Sequence, residues 1–154
     1  MRSLLKGSVK FTEIYEYWSM EINLTWTKHW IKIHVTSRAQ HLKTDFISCK
    51  LSQAYFLGLF LKGVSYGIGL GRADNSASLK FSGRKSEYSD IILESAATQY
   101  LLDSRNASIE LDKKCLIFKG SVRKKDQISL SNIFILIEML MEEIDDLTVT
   151  SNHS

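Results

Sequence analysis

The chain contains no proline, only two cysteines and a formal net charge of just +3. The two cysteines, Cys49 and Cys115, lie far apart and do not make the disulfide framework of a small secreted domain. The first residues lack the basic, apolar and small-residue regions of a secretory signal, so we expect a cytoplasmic protein with buried free thiols. The absence of proline by itself excludes no fold.

The weak excess of basic residues does not by itself indicate a nucleic-acid binder, since 20 Lys and Arg face 17 Asp and Glu. Hydrophobic residues make up 44% and charged residues 24% of the chain, which excludes a disordered or fibrous protein. A chain of 154 residues can bury one core. We predict a single α+β domain over residues 1–147 and a disordered tail over 148–154.

The best candidate for a membrane span is the apolar run over residues 51–70, which carries Lys62 near its centre. A charge at that depth costs about 2.5–3.5 kcal/mol on insertion scales. We therefore expect no membrane span.

Apolar residues near the N terminus recur at helical spacing. They are Phe11, Ile14, Tyr15, Trp18 and Ile22. Intervals of three and four residues are typical of one helix face. The pattern predicts a short N-terminal helix over about residues 10–19.

From Glu21 onward the apolar period changes to two, which is typical of strands. A two-residue turn at Lys28-His29 places apolar side chains opposite one another in three pairs, Trp26 with Ile31, Leu24 with Ile33 and Ile22 with Val35. A turn at Lys113-Lys114 does the same for Leu111 with Leu116 and Ile109 with Phe118. Both patterns predict hairpins with one apolar and one polar face.

Residues 52–62 fit either a strand of a further hairpin, turning at Lys62-Gly63, or a buried helix. In the hairpin, three glycines lie on one side of the second strand, where Phe56 can cover Gly69. The favoured interpretation of these glycines is structural. The alternative is a small-molecule site formed by the glycine strand and the loop over residues 72–75, with Gly67, Gly69, Gly71, Arg72 and Asp74 as candidate ligand-binding residues. Neither a dinucleotide fingerprint nor a Gly-Lys-Ser/Thr motif is completed, so no cofactor is expected.

Two helices are predicted in the C-terminal half. The first has Ser86 or Ser89 as a candidate N-cap, and the second extends from about Ser129 to Asp146 with a continuous apolar stripe. The predicted fold is therefore α+β, with a mainly antiparallel sheet of hairpins, one N-terminal helix and two C-terminal helices.

Candidate catalytic and metal-binding residues do not form recognisable motifs. His29, His34 and His41 are not accompanied by an HExxH or CxxC motif, so they are predicted to be solvated rather than metal ligands. No Gly-x-Ser-x-Gly motif occurs, and both cysteines lie in strand-like apolar patterns where thiols are usually inert. These features favour a protein without catalytic activity.

Basic residues concentrate around the last predicted hairpin, and the candidate polyanion-binding residues are Lys113, Lys114, Arg123, Lys124 and Lys125. Nucleic-acid modules usually add exposed aromatic side chains or a reading helix to such a stripe. Because Phe118 faces inward in the predicted hairpin, no exposed aromatic side chain accompanies the lysines. They are better explained as charges that prevent a sheet edge from pairing with other chains. A nucleic-acid partner is therefore considered unlikely.

Three apolar residues of the last helix, Ile135, Leu136 and Met139, lie outside its main stripe. They indicate a homodimer through this helix, in which the basic residues before one helix lie beside the acidic C-terminal end of the other. The alternative is that both ends of the helix are solvated and these three residues contact the sheet of the same chain. The leading functional hypothesis is a non-catalytic protein-interaction or structural module. Small-molecule binding and weak polyanion binding remain the alternatives.

Overall fold

The computed structural model describes residues 6–53 and 79–152. In these ranges the strands are β1 Gly7–Tyr15, β2 Trp18–Trp26, β3 Trp30–Ala39, β4 Phe46–Gln53, β5 Leu79–Gly83, β6 Arg105–Lys113 and β7 Cys115–Arg123. They form one seven-stranded sheet in the order β1-β2-β3-β7-β6-β4-β5. Every neighbouring pair is antiparallel, which confirms the α+β class and the sheet of hairpins.

The helices described are α1 Glu87–Glu94, a 3-10 helix Ala96–Asp103, and α2 Gln127–Asn152. Ser86 caps α1 in a capping box, because its hydroxyl accepts from the Ser89 N–H at 3.1 Å and the Ser89 hydroxyl accepts from the Ser86 N–H at 2.7 Å. The α-helical conformation ends at Ser95, whose backbone is extended. The predicted first C-terminal helix is thus an α-helix followed by a 3-10 helix.

The N-terminal helix predicted over residues 10–19 is wrong, because this segment forms β1 and the start of β2. Tyr15 pairs with Trp18 and Phe11 with Ile22, across a two-residue turn in which Glu16 adopts a positive φ of 52°. The turn places Tyr15 and Trp18 three positions apart, which imitates helical spacing. The apolar residues read as one helix face therefore belong to two adjacent strands.

The two other hairpin registers are confirmed. Trp26 pairs with Ile31 and Leu24 with Ile33 across the Lys28-His29 turn. Leu111 pairs with Leu116 across the Lys113-Lys114 turn. The hairpin proposed around Lys62-Gly63 lies outside the described residues, apart from Ser52 and Gln53 at the end of β4.

One face of the sheet is covered by α2, α1 and the 3-10 helix. The core between these layers includes the fully buried Trp18, Val35 and Phe118 of the strands. From α2 it includes the buried Ile133, Leu136, Ile137, Leu140, Met141 and Ile144. None of the helices in the described ranges is long and apolar enough to cross a membrane.

The interface predicted on the last helix is contradicted at Leu136, which is 0% exposed and belongs to the core. Met139 is partly buried against the same core, and only Ile135 is exposed. The helix has a wider apolar face than its main stripe because it packs against the 3-10 helix as well as against the sheet. Leu136 is therefore not available to a partner.

The ends of α2 also differ from the prediction. The Asp126 carboxylate precedes the helix and accepts from the Ser129 N–H at 3.0 Å and the Ser129 hydroxyl at 2.7 Å, and these hydrogen bonds lower the pKa of Asp126. The disordered tail predicted from residue 148 is wrong up to Asn152, because α2 continues to that residue. Thr148 is buried, and its hydroxyl lies 2.9 Å from the Tyr88 hydroxyl, which anchors this last turn to α1.

Candidate functional site

Charge is divided between the two layers of the fold. The helical layer has three acidic residues in α1, one in the 3-10 helix and five in α2, and none of these helices contains Lys or Arg. The strands contain nine Lys or Arg and four Asp or Glu. We call the sheet face turned away from the helices the open face. An anion therefore meets a more favourable potential at the open face than at the helical layer.

The centre of the open face is a polar grid on β2, β3 and β7. Successive side chains of a strand point to opposite faces, and Ile33 and Val35 are buried, so Lys32 and His34 point to the open face. The register places six side chains in two rows across the three strands, Asn23–His34–Lys119 and Thr25–Lys32–Ser121. These residues line a cavity of about 480 Å³, to which Asn106 also contributes and whose lining contains no Asp or Glu.

His34 lies between cations in this grid. Partial burial is the main cause that lowers the pKa of His34, and the Lys119 ammonium group opposite it lowers the pKa further. Glu21 raises the pKa, and Lys32 adds a weaker lowering effect. His34 is therefore neutral at pH 7, and an anion bound beside it would favour its protonated form.

Trp30 lies beside the grid and is flanked by two arginines. The guanidinium carbons of Arg105 and Arg123 lie 5.1 and 5.2 Å from the centre of the indole ring, within the range of cation–π attraction. Arg123 pairs with Trp30, and Arg105 pairs with Ser121 at the edge of the grid. The open face thus combines an aromatic side chain with guanidinium groups next to the lysine and histidine cluster.

The basic residues predicted to act together are separated by the structure. Lys113 and Lys114 form the turn at one end of the β6–β7 hairpin, and Arg123 to Lys125 lie at the other, about 30 Å away at roughly 3.4 Å per residue. Arg123, Lys124 and Lys125 instead meet Lys28 and His29 around a cavity of about 240 Å³. The Lys124 N–H donates to the His29 carbonyl at 2.8 Å, which joins the two turns.

The histidines have different environments. His29 lies in the exposed Lys28-His29 turn and His34 in the polar grid, but His41 is partly buried with its Nε2 2.7 Å from Asp145 Oδ1. The same carboxylate accepts from Trp18 Nε1 at 3.0 Å, so the cluster ties α2 to β2 and to the loop after β3. Within residues 6–53 and 79–152, no three His, Cys, Asp or Glu side chains are grouped so as to hold a metal ion.

The candidate ligand-binding residues Gly67, Gly69, Gly71, Arg72 and Asp74 all lie outside the described residues. Of the cysteines, both are buried, and burial raises the pKa of the Cys49 thiol. Cys49 therefore lacks the environment of a reactive thiolate.

Comparisons of the chain with protein-family models, with curated proteins and with solved structures find no match. Sequence reasoning recognised the polar side of the β2–β3 hairpin, but it did not place Lys119, Ser121 or Arg105 next to that side.

Proposed function

We propose that the chain is a non-catalytic binding module whose open face binds single-stranded nucleic acid. The observation that carries this proposal is the division of charge between the layers, with Lys and Arg predominant in the sheet and only acidic charges in the described helices. A field of this form steers a polyanion towards one face of the molecule and away from the other.

The side chains of the grid have the chemistry that phosphate groups require. Lys32 and Lys119 supply ammonium groups, and Asn23, Thr25 and Ser121 supply neutral donors. Charge-assisted hydrogen bonds to anionic oxygens are about twice as strong as neutral ones. A phosphate in the cavity would also stabilise a protonated His34.

A single strand fits the open face better than a duplex. Reading the major groove of duplex DNA requires a protruding helix or a two-stranded ribbon, and the described helices are acidic. Flat sheets that bind single strands combine basic residues for the phosphates with aromatic or guanidinium groups that stack on bases. Trp30, Arg105 and Arg123 supply such groups beside the lysines of the grid.

Affinity for a labelled single-stranded oligonucleotide is expected to rise as the pH falls below 6.5. A bound phosphate raises the pKa of His34, which is below 6.5 in the unbound chain, so binding takes up a proton in that window. His34→Gln keeps a hydrogen-bonding side chain but removes the titration, so its affinity should change less with pH than that of the wild type. Fluorescence anisotropy at low salt measures both.

His29→Gln is the matched control, because His29 lies outside the grid in the Lys28-His29 turn. It should keep more of the pH dependence than His34→Gln. Absence of binding at low salt at every pH contradicts the proposal, and a duplex that competes as well as a single strand contradicts the assignment to single strands. A His34→Gln variant with unchanged pH dependence removes His34 from the binding site.

A further inference from the structure

β1 forms one edge of the sheet, and within the described residues no strand pairs with its outer side. Seven of its nine residues are exposed, and its pairing with β2 runs without a register shift from Gly7 to Tyr15. A regular edge strand presents unpaired N–H and C=O groups that can pair with a further strand. The edge therefore favours a partner segment with an extended backbone.

The side chains of β1 also favour association. Val9 and Phe11 are 43% and 38% exposed on the side of the helices, and Ile14 is 74% exposed on the open face. The Lys10 ammonium group forms an ion pair with the Glu21 carboxylate of β2 at 3.4 Å. This edge therefore has little unbalanced charge on the open face. Edges that must avoid pairing usually carry proline, a bulge or several charges.

We infer that β1 pairs antiparallel with β1 of a second copy, about a twofold axis at Phe11. Two residues directly opposite each other in an antiparallel pair point to the same face of the sheet. Odd-numbered residues of β1 must therefore pair with odd-numbered residues of the second copy, and the twofold axis passes through a residue rather than between two. An axis at Phe11 pairs the whole strand, with Gly7 opposite the partner's Tyr15 and Lys10 opposite the partner's Thr12. It places Phe11 against its own symmetry mate.

The charges around β1 select this register and this partner. An axis at Lys10 or at Glu13 places like charges directly opposite each other, which is destabilising. The axis at Phe11 instead brings Lys6, just before β1, opposite the partner's Glu16, just after it, and symmetry repeats the contact. Both side chains are exposed in the single chain. The strand and its flanks are thus complementary to themselves.

Pairing of this kind joins the two sheets into one and places the two open faces side by side. The dimer does not use the grid around His34, so its test is independent of nucleic-acid binding. It also uses a different surface from the dimer predicted through α2, of whose three predicted contact residues Leu136 is buried in the core.

Sedimentation over a series from micromolar to millimolar chain concentration tests the dimer. Lys6→Glu and Glu16→Lys should each raise the dissociation constant roughly tenfold, because each replaces two attractive contacts by repulsive ones, and the double variant should recover the wild-type value. Lys85→Glu, an exposed charge beyond the opposite edge of the sheet, is the matched control and should leave the dimer unchanged. Phe11→Lys places two ammonium groups at the axis and should give a monomer.

Circular dichroism confirms that each variant is folded. A wild-type chain that stays monomeric throughout the series overturns the inference. A dimer whose dissociation constant is unchanged by both Phe11→Lys and Lys6→Glu overturns it as well, because such a dimer uses another surface.

Discussion

Leu136→Glu is expected to unfold the chain. Leu136 is 0% exposed and packs in the core with Ile133 and Ile137 of the same helix. A carboxylate at this position has no cation to pair with in the described helical layer, and burial of an unpaired charge costs several kcal/mol. Because whole domains are stable by only about 5–15 kcal/mol, this single change removes most or all of the stability.

Ile135→Glu is the matched control, since Ile135 is the neighbouring residue on α2 and is 40% exposed. Its midpoint of chemical denaturation should lie close to that of the wild type. Leu136→Ala should fall between the two, with a loss of about 2–5 kcal/mol from the cavity that it leaves. A folded Leu136→Glu variant with the wild-type midpoint would show that Leu136 does not lie on the buried face of α2.

Affinity for single-stranded nucleic acid is expected to fall roughly fiftyfold between about 50 and 200 mM salt, if four cations each neutralise one phosphate. The four are Lys32, Lys119, Arg105 and Arg123, which lie on or beside the grid. Each contact releases a counterion, so the logarithm of the affinity falls linearly with the logarithm of the salt concentration. Anisotropy titrations at several salt concentrations give the slope.

The slope also reports on which residues take part. A steeper dependence than expected would indicate that Lys28, Lys124 and Lys125, which lie in two adjoining turns, also contact phosphates. An affinity that does not change with salt would contradict phosphate recognition by the open face, because such binding could not depend on charge neutralisation.

The parts of the fold that the sequence predicts well are its local hairpins. In β2–β3 and β6–β7, a two-residue turn and an apolar period of two favour one register, which places the paired apolar residues on the same face. The same local pattern gave the wrong element at β1–β2. Tyr15 and Trp18 are three positions apart because they flank a two-residue turn, and the intervals of four within each strand fit one face of a strand as well as one face of a helix. Period alone does not distinguish a tight hairpin from one face of a helix.

The candidate site depends on contacts that sequence patterns do not encode. His34 and Lys119 are brought together by the pairing of β3 with β7, two strands that are distant along the chain. The approach of Arg105 to Trp30 depends on the same pairing and on the bulge in β6 after Arg105. The lack of Lys and Arg in the three described helices can be seen in the sequence, but only the two-layer arrangement shows that it separates the charge of the two layers.

The most direct test of the binding face compares two double variants that change the net charge equally. Lys32→Glu with Lys119→Glu reverses the two lysines of the grid, and Lys113→Glu with Lys114→Glu reverses two lysines at the far end of the β6–β7 hairpin. Affinity for a single-stranded oligonucleotide at fixed low salt should fall roughly a hundredfold for the first variant and only a few fold for the second. Equal losses in the two variants, or a larger loss in the second, would contradict binding at the open face.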